Sequence, residues 1–196
     1  HIWLDQIRDI LEKRGVVSPQ LHVCLENIDS DVDDILRAAE NLKISPQAEP
    51  INIGEVLQSL VSQVRIQTPS SIEVQMVQVE GPFLVNAITT ELTHAFWSII
   101  QNGIDAMPDG GKLNVAVTGG ETKSRPEVEV HITDEGKGIE PEAQERIFSP
   151  FYSTKPSHMG YGLWRAKNVI DNIGGVITFD SEMGKGTTFN IRLPIL

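Results

Sequence analysis

Asp134 ends a strand-like run, Val128-Glu129-Val130-His131-Ile132, and is followed by Gly136 and Gly138 in the spacing Asp-x-Gly-x-Gly. A carboxylate leaving a strand can accept a hydrogen bond from an exocyclic amine such as that of adenine. The two glycines would let the backbone pass close to the ligand; equally, such an Asp can simply cap a turn. Asn102, in Gln101-Asn102-Gly103-Ile104-Asp105-Ala106, carries a neutral hard oxygen suited to magnesium already bridged by phosphate oxygens. Taken alone it also reads as a helix-end Asn beside Gly103. Ser98 and Asp105 stand at i−4 and i+3 from Asn102, on the same helical face. Lys155 follows Tyr152-Ser153-Thr154 and would set a positive charge against phosphates, or else be an exposed loop lysine. Gly160-Tyr161-Gly162-Leu163 opens a helix whose free N–H groups make an anion site. It is not a P-loop, because the G-x-x-x-x-G-K-[ST] spacing is absent. A last glycine motif, Gly184-Lys185-Gly186-Thr187-Thr188-Phe189, closes the series.

The elements that must position these residues follow from periodicity. Ile53, Val56, Leu57, Leu60, Val61 and Val64 predict an amphipathic helix, and Leu92, Ala95, Phe96, Ile99 and Ile100 put a wide apolar face on the helix carrying Asn102. Ile72–Met76, 112–118 and 127–133 alternate as strands, the last two joined by a polar loop from Gly119 to Pro126. Leu163–Ile173 reads as a helix stopped by Gly174-Gly175. Val176–Asp180 and Thr187–Leu193 read as the final strands, around the turn Met183-Gly184-Lys185-Gly186. Helices and a mostly antiparallel sheet thus alternate irregularly, which predicts an α/β fold, a two-layer α/β sandwich with helices on one face. The interval from Lys155 to Gly160, short and flanked by Pro156, has the make-up of a small lid.

Ahead of this domain, residues 1–44 read as a helical hairpin. Leu21, Leu25, Ile28, Val32, Ile35, Ala39 and Leu42 alternate at spacings of four and three, a narrow heptad seam. Leu4, Ile7 and Leu11 line an earlier helix that stops at Gly15, and Ser18-Pro19 caps the next. Two helices with one open seam are half of a four-helix bundle, so a homodimer through the hairpin is expected; the alternative is a hairpin folded back on its own domain. Residues 45–50, with Pro46 and Pro50, read as a linker, leaving 51–196 as the ligand-binding domain.

Composition narrows the classes. A formal charge of −11 over 196 residues argues against non-specific attraction to nucleic acid or anionic lipid. It leaves room for a bound nucleotide, since a metal and backbone N–H groups can dominate one pocket. Cys24 is the single cysteine, so no intrachain disulfide forms and a reducing, cytoplasmic setting fits. No apolar run approaches the roughly 20 residues that span a bilayer. Asp5, Arg8 and Asp9 interrupt any signal-like start. No membrane contact is expected of this segment, which also suits the cytoplasmic part of a larger protein.

These residues together resemble the gyrase/Hsp90/histidine-kinase/mismatch-repair ATPase superfamily (GHKL), and most of all the ATP-binding domain of sensor histidine kinases. The resemblance spans roughly residues 50–196, and the helical pair looks like the tail of a kinase dimerisation region. Asn102 matches the family's magnesium-binding N box, and Asp134, Gly136 and Gly138 its adenine-binding G1 box, with Ile139 beside them. Phe148, Phe151 and Lys155 match the F box; Gly160, Tyr161, Gly162 and Leu163 fall on the phosphate-side G2 box. Gly184, Gly186 and Thr187 match the last glycine motif, and Asp105 falls beside the metal. The resemblance implies a Bergerat-type sandwich, ATP and Mg²⁺ as cofactors, a γ-phosphoryl group passed to a histidine, and a response-regulator receiver domain as partner.

Two positions depart from the pattern. Ser98 stands where hydrolytic relatives carry a glutamate that activates water, and where kinases often carry Asn. Asp105 stands where many kinases have a basic residue. His1 is the candidate phosphoacceptor, yet Ile2-Trp3-Leu4 follows it in place of the usual acidic residue and Pro. Three functions therefore compete. A histidine-kinase core leads, ahead of a non-enzymatic nucleotide-binding and dimerisation module (a degenerate kinase). Third is a hydrolytic conformational ATPase, which Ser98 disfavours.

Overall fold

Val128, Val130 and Ile132 are buried on one face of strand β5 (Pro126–Asp134), while Glu129, His131 and Thr133 alternate onto the other. The same period-two logic buries Leu113, Val115 and Val117 of β4 (Gly111–Glu121) and Phe189, Ile191 and Leu193 of β7 (Gly186–Pro194). With β2 (Ile72–Val79) and β6 (Val176–Glu182) they form a five-stranded sheet in the order β2-β4-β5-β7-β6. The β2–β4 pair is parallel, and the other three pairings are antiparallel. The computed structural model describes residues 46–121, 125–154 and 160–196. The hairpin read over 1–44, His1, Lys155 and most of the expected lid lie outside these described residues.

Three helices cover the apolar face of the sheet. Helix α1 (Ile53–Gln67) starts where the Asn52 side chain accepts the Gly54 N–H at 3.1 Å, and it buries Leu57, Leu60, Val61 and Val64. Helix α2 (Thr89–Asp105) buries Leu92, Ala95, Phe96, Ile99, Ile100 and Ile104. After the one-turn helix α3 (Pro141–Gln144), helix α4 (Gly162–Asn172) adds Ala166, Val169 and Ile170, packing against α2 and β6. One continuous core joins these side chains to the sheet, each large one contributing about 1.5–3 kcal/mol by its removal from water. The result is the two-layer α/β sandwich. Among the described residues no helix is long and apolar enough to cross a membrane.

The expected linker over 45–50 is shorter than its composition suggested. Glu49–Asn52 is strand β1, paired antiparallel with β3 (Leu84–Ala87) in a separate two-stranded sheet. Pro50 is tolerated because β1 has a neighbour on one side only, where a missing N–H costs little. The polar loop expected from Gly119 to Pro126 is also shorter. The ladder runs on to pair Gly119 with Val128, Gly120 with Glu127 and Glu121 with Pro126, because cross-strand hydrogen bonding continues past the last apolar residue.

Candidate functional site

Asp134 is the last residue of β5, and it keeps the register of Val128, Val130 and Ile132. Its carboxylate therefore points from the sheet into the helical layer, where the preceding positions hold core side chains. It is 4% exposed. Oδ1 accepts the Gly136 N–H at 2.9 Å and the Thr187 N–H at 3.3 Å. Burial pushes the Asp134 carboxyl above the usual carboxylate range, and the two backbone N–H bonds pull it partly back. A buried carboxylate at a cavity wall is an acceptor aimed at a ligand that brings its own donors.

Helix α2 passes directly over this group. A Cβ on Gly103 would lie 2.7 Å from Leu113 Cδ1 and 3.3 Å from Asp134 Cβ, so only glycine lets the helix approach so closely. Gly103 thus sits inside α2, which continues to Asp105 and places Asn102 in its last turn. Asn102 is presented on the α2 face that also carries Ser98 and Asp105. The Gln101 amide donates to Asp105 at 2.9 Å.

Two glycine loops complete that end. Gly138 has φ +74°, and a Cβ there would run into the Glu182 carbonyl; Gly186, at φ +107°, would run into that of Asp134. The loops are tied by Gly184 N–H to Lys137 O at 2.9 Å, and Lys137 N–H bonds Ala106 O at 3.1 Å. Ser181 joins them through its hydroxyl, which lies 2.8 Å from Ile139 N and 2.9 Å from Thr187 Oγ1.

Between these walls lies a cavity of about 660 Å³, in the size range of small-molecule sites. Asn102, Asp105, Asp134, Gly138 and Ile139 line it. So do Gly160, Tyr161, Gly162, Leu163 and Thr187. Gly136 does not line it; its N–H holds Asp134, and its α-carbon packs on Ala106, where a Cβ would approach to 2.7 Å. Lys155 and His1 fall outside the described residues. The N-cap residue of α4, Tyr161, makes no side-chain cap hydrogen bond and the first turn holds no acidic residue, while Tyr161, Gly162 and Leu163 bring this helix start to the cavity. Gly162 rests on Ser98, where an added Cβ would sit 3.5 Å from the serine Cβ.

The aromatic residues divide. Phe148 packs edge-on against Phe179 and Phe189, with centroids at 6.0 and 6.4 Å, and supports the cavity floor. Phe151, at φ +60°, lies 6.3 Å from Tyr161, which in turn lies 4.8 Å from Trp164. Sequence reasoning missed Trp97, Lys137 and Met183 as lining residues. It also missed Ser181, which belongs to no glycine motif and reaches the site through its pairing with Thr187 across β6 and β7 and its bond from Ile139 N–H.

Fold and site together define a Bergerat-fold ATPase domain of the GHKL class, closely related to the catalytic cores of sensor histidine kinases. The chain belongs to the family described as histidine kinase-, DNA gyrase B- and HSP90-like ATPases, whose pattern matches residues 87–196. It is 34% identical to sporulation kinase A of Bacillus subtilis (strain 168) over 142 residues, 72% of this chain and 22% of that protein. It is 27% identical to sensor protein TdiS of Thauera aromatica over 197 residues, 98% of this chain and 35% of that one. The solved mycobacterial sensor histidine kinase MprB superposes with a TM-score of 0.65 at 28% identity, over 76% of this chain and 97% of the other. The chain therefore spans well under half the length of TdiS and of sporulation kinase A.

Proposed function

We propose that this chain is the Mg-ATP-binding core of a two-component sensor histidine kinase. It would transfer the γ-phosphoryl group of ATP to a histidine, and from there to a response-regulator receiver domain. The observation that carries this reading is the shared cavity, lined by a buried carboxylate, by Asn102 and by the start of helix α4.

The residues present fit such a ligand. Asp134 accepts from the adenine amine, and ordered backbone at Gly136 and Thr187 holds its carboxylate in place. Asn102 offers a neutral oxygen to the metal, and Asp105 adds negative charge on the same face. The N–H groups of the first turn of α4, with the helix dipole, take phosphate oxygens; Lys155 would add a positive charge. Magnesium held at Asn102 would supply positive charge to offset the negative charge of the phosphates during transfer. Ser98 has no basic group to activate water, so the terminal phosphoryl group is kept for a protein acceptor rather than spent on hydrolysis. Dimerisation through residues 1–44, His1 as an acceptor and a cytoplasmic setting belong to the same proposal.

The test is direct. The 196-residue chain is incubated with Mg²⁺ and γ-labelled ATP, with and without a separate histidine-bearing acceptor domain. Acid-labile, base-stable label on either protein is the expected result, and its loss in His1→Gln would mark His1 as the acceptor. ATP binding with no label on either protein would replace the kinase reading with the nucleotide-binding module. Rapid release of free phosphate would replace it with a hydrolytic ATPase.

A further inference from the structure

Among the described residues, Phe151 is the one non-glycine whose backbone sits in the left-handed region, at φ +60°. That conformation is strained for a bulky side chain and persists only where its surroundings hold it. The next residue, Tyr152, is half-buried and lines the cavity. Three features hold this pair. The chain climbs from α3 in successive three-residue turns: Arg146 N–H donates to Ala143 O at 2.9 Å, Ser149 N–H to Arg146 O at 2.8 Å, and Tyr152 N–H to Ser149 O at 3.3 Å. Gly160, at φ +68°, lies so close that a Cβ there would run into the Tyr152 carbonyl. Finally, the Arg146 guanidinium lies over the Tyr152 ring, its central carbon 4.5 Å from the ring centroid.

The last contact is informative because Arg146 had other choices. It is exposed, and Glu140, Glu142 and Glu145 stand close by in the chain. Among the described residues its guanidinium nevertheless forms no ion pair, and the contact it makes is with the ring. An exposed ion pair would hold little, whereas a stacked guanidinium both attracts and covers the ring face. Arg146 does not line the cavity, so it meets the site through Tyr152.

We infer that Arg146 is a positioning residue of the nucleotide site: by stacking on Tyr152 it holds that ring in the cavity wall before the nucleotide arrives. This rests on the nucleotide-binding reading above and deepens it. A ring free to leave the wall has to be ordered at the moment of binding, and apparent affinity falls with the fraction of chains in which the wall is ready. The guanidinium raises that fraction without touching the ligand. The loss on removing it cannot exceed the strength of the stack, which for an exposed pair corresponds to about two- to fivefold in affinity.

The experiment titrates the full chain and its variants with Mg-ATP in a calorimeter. Arg146→Gln should weaken binding about two- to fivefold, and Arg146→Lys, which keeps a cation for the ring, should recover most of the loss. The ratio of wild-type to Arg146→Gln affinity should hold when the ionic strength is raised, whereas attraction of ATP by charge alone would fade. In a Tyr152→Leu background Arg146→Gln should change affinity no further, because the group it acts through is gone. A ratio that collapses in salt, or losses that add in full in the Leu background, would overturn the inference. Should Tyr152→Leu fail to fold, the salt series carries the test. A wild-type chain that binds no ATP removes the nucleotide site and this role together. A wild type that binds ATP no better than Arg146→Gln removes the role alone.

Discussion

The two ends of the cavity are built by different means. At the Asp134 end, a buried carboxylate, two glycine loops and the Ser181 hydroxyl are cross-linked by short hydrogen bonds. Around Asn102 the wall is a helix face and the start of α4, with Gly162 resting on Ser98. The first arrangement suits recognition of a flat group with fixed donors, because a satisfied polar network in low dielectric is rigid and discriminating. The second suits a charged group, since N–H dipoles and a helix dipole attract phosphate with little demand on its orientation. On the proposed reading, base recognition and phosphate handling fall on different stretches of α2, which carries Gly103 against Asp134 and Ser98 against Gly162.

Breaking the Asn102 end should have the largest effect on activity. Asn102→Ala removes the proposed metal-side oxygen, and phosphoryl transfer should fall at least about 100-fold. Thermal stability should change by no more than about 1 kcal/mol, because the half-buried Asn102 faces the cavity and not the core. Label transfer followed beside a melting curve checks both; an equal loss of stability would place Asn102 in the scaffold instead.

The glycine loops should behave in the opposite way. Gly186→Ala forces a side chain against the Asp134 carbonyl at φ +107°, and the strain should cost about 2–4 kcal/mol of stability. Denaturant unfolding would show it with no nucleotide present.

Asp134→Asn sharpens the contrast, because its two consequences have opposite signs. Loss of the acidic acceptor should weaken ATP binding by about 10–100-fold. The unliganded fold, however, is burdened by this charge. Because the Asp134 carboxyl is held above the usual carboxylate value, its favourable contribution is complete below that value and is lost as pH rises through the raised one. At neutral pH Asp134→Asn should therefore melt no lower than wild type, and any advantage should shrink as the pH is lowered. A variant that melts lower at pH 7 would show that the carboxylate braces the fold as well as the ligand.

The smallest effect is expected on the open face of the sheet. There His131 Nδ1 lies 2.7 Å from Asn190 Oδ1, and Asn190 donates to Asp180 at 2.8 Å. Asn190→Ser should change stability by about 0.5–1 kcal/mol and leave ATP affinity unaltered. A large change in affinity would mean that the two faces of the sheet are coupled.

Much of this was readable from residue order. Alternation placed β5 and β7, the apolar spacing placed α1 and α2, the Gly174-Gly175 stop marked α4, and the glycine motifs marked the loops around the cavity. Strands β1 and β3 were not readable, because four residues with one proline carry too little periodicity to stand out from a linker. The end of the β4–β5 hairpin was hidden for a related reason. Its ladder continues through Gly119 and Gly120, where backbone pairing, not side-chain burial, extends the strand. Gly136, which the sequence placed beside the carboxylate under either reading, bonds Asp134 through its N–H.

By itself the sequence determined the kind of groups available: a carboxylate at a strand end, a neutral oxygen on a helix, and glycines where backbone must come close. Those are local properties, written in residue type and spacing. Only the tertiary structure decided that Asp134 keeps the core-facing register, that α2 crosses it at Gly103, and that Ser181 meets Thr187. Each is a contact between segments distant in the chain or on neighbouring strands, and so depends on pairing and packing that no single window of sequence encodes.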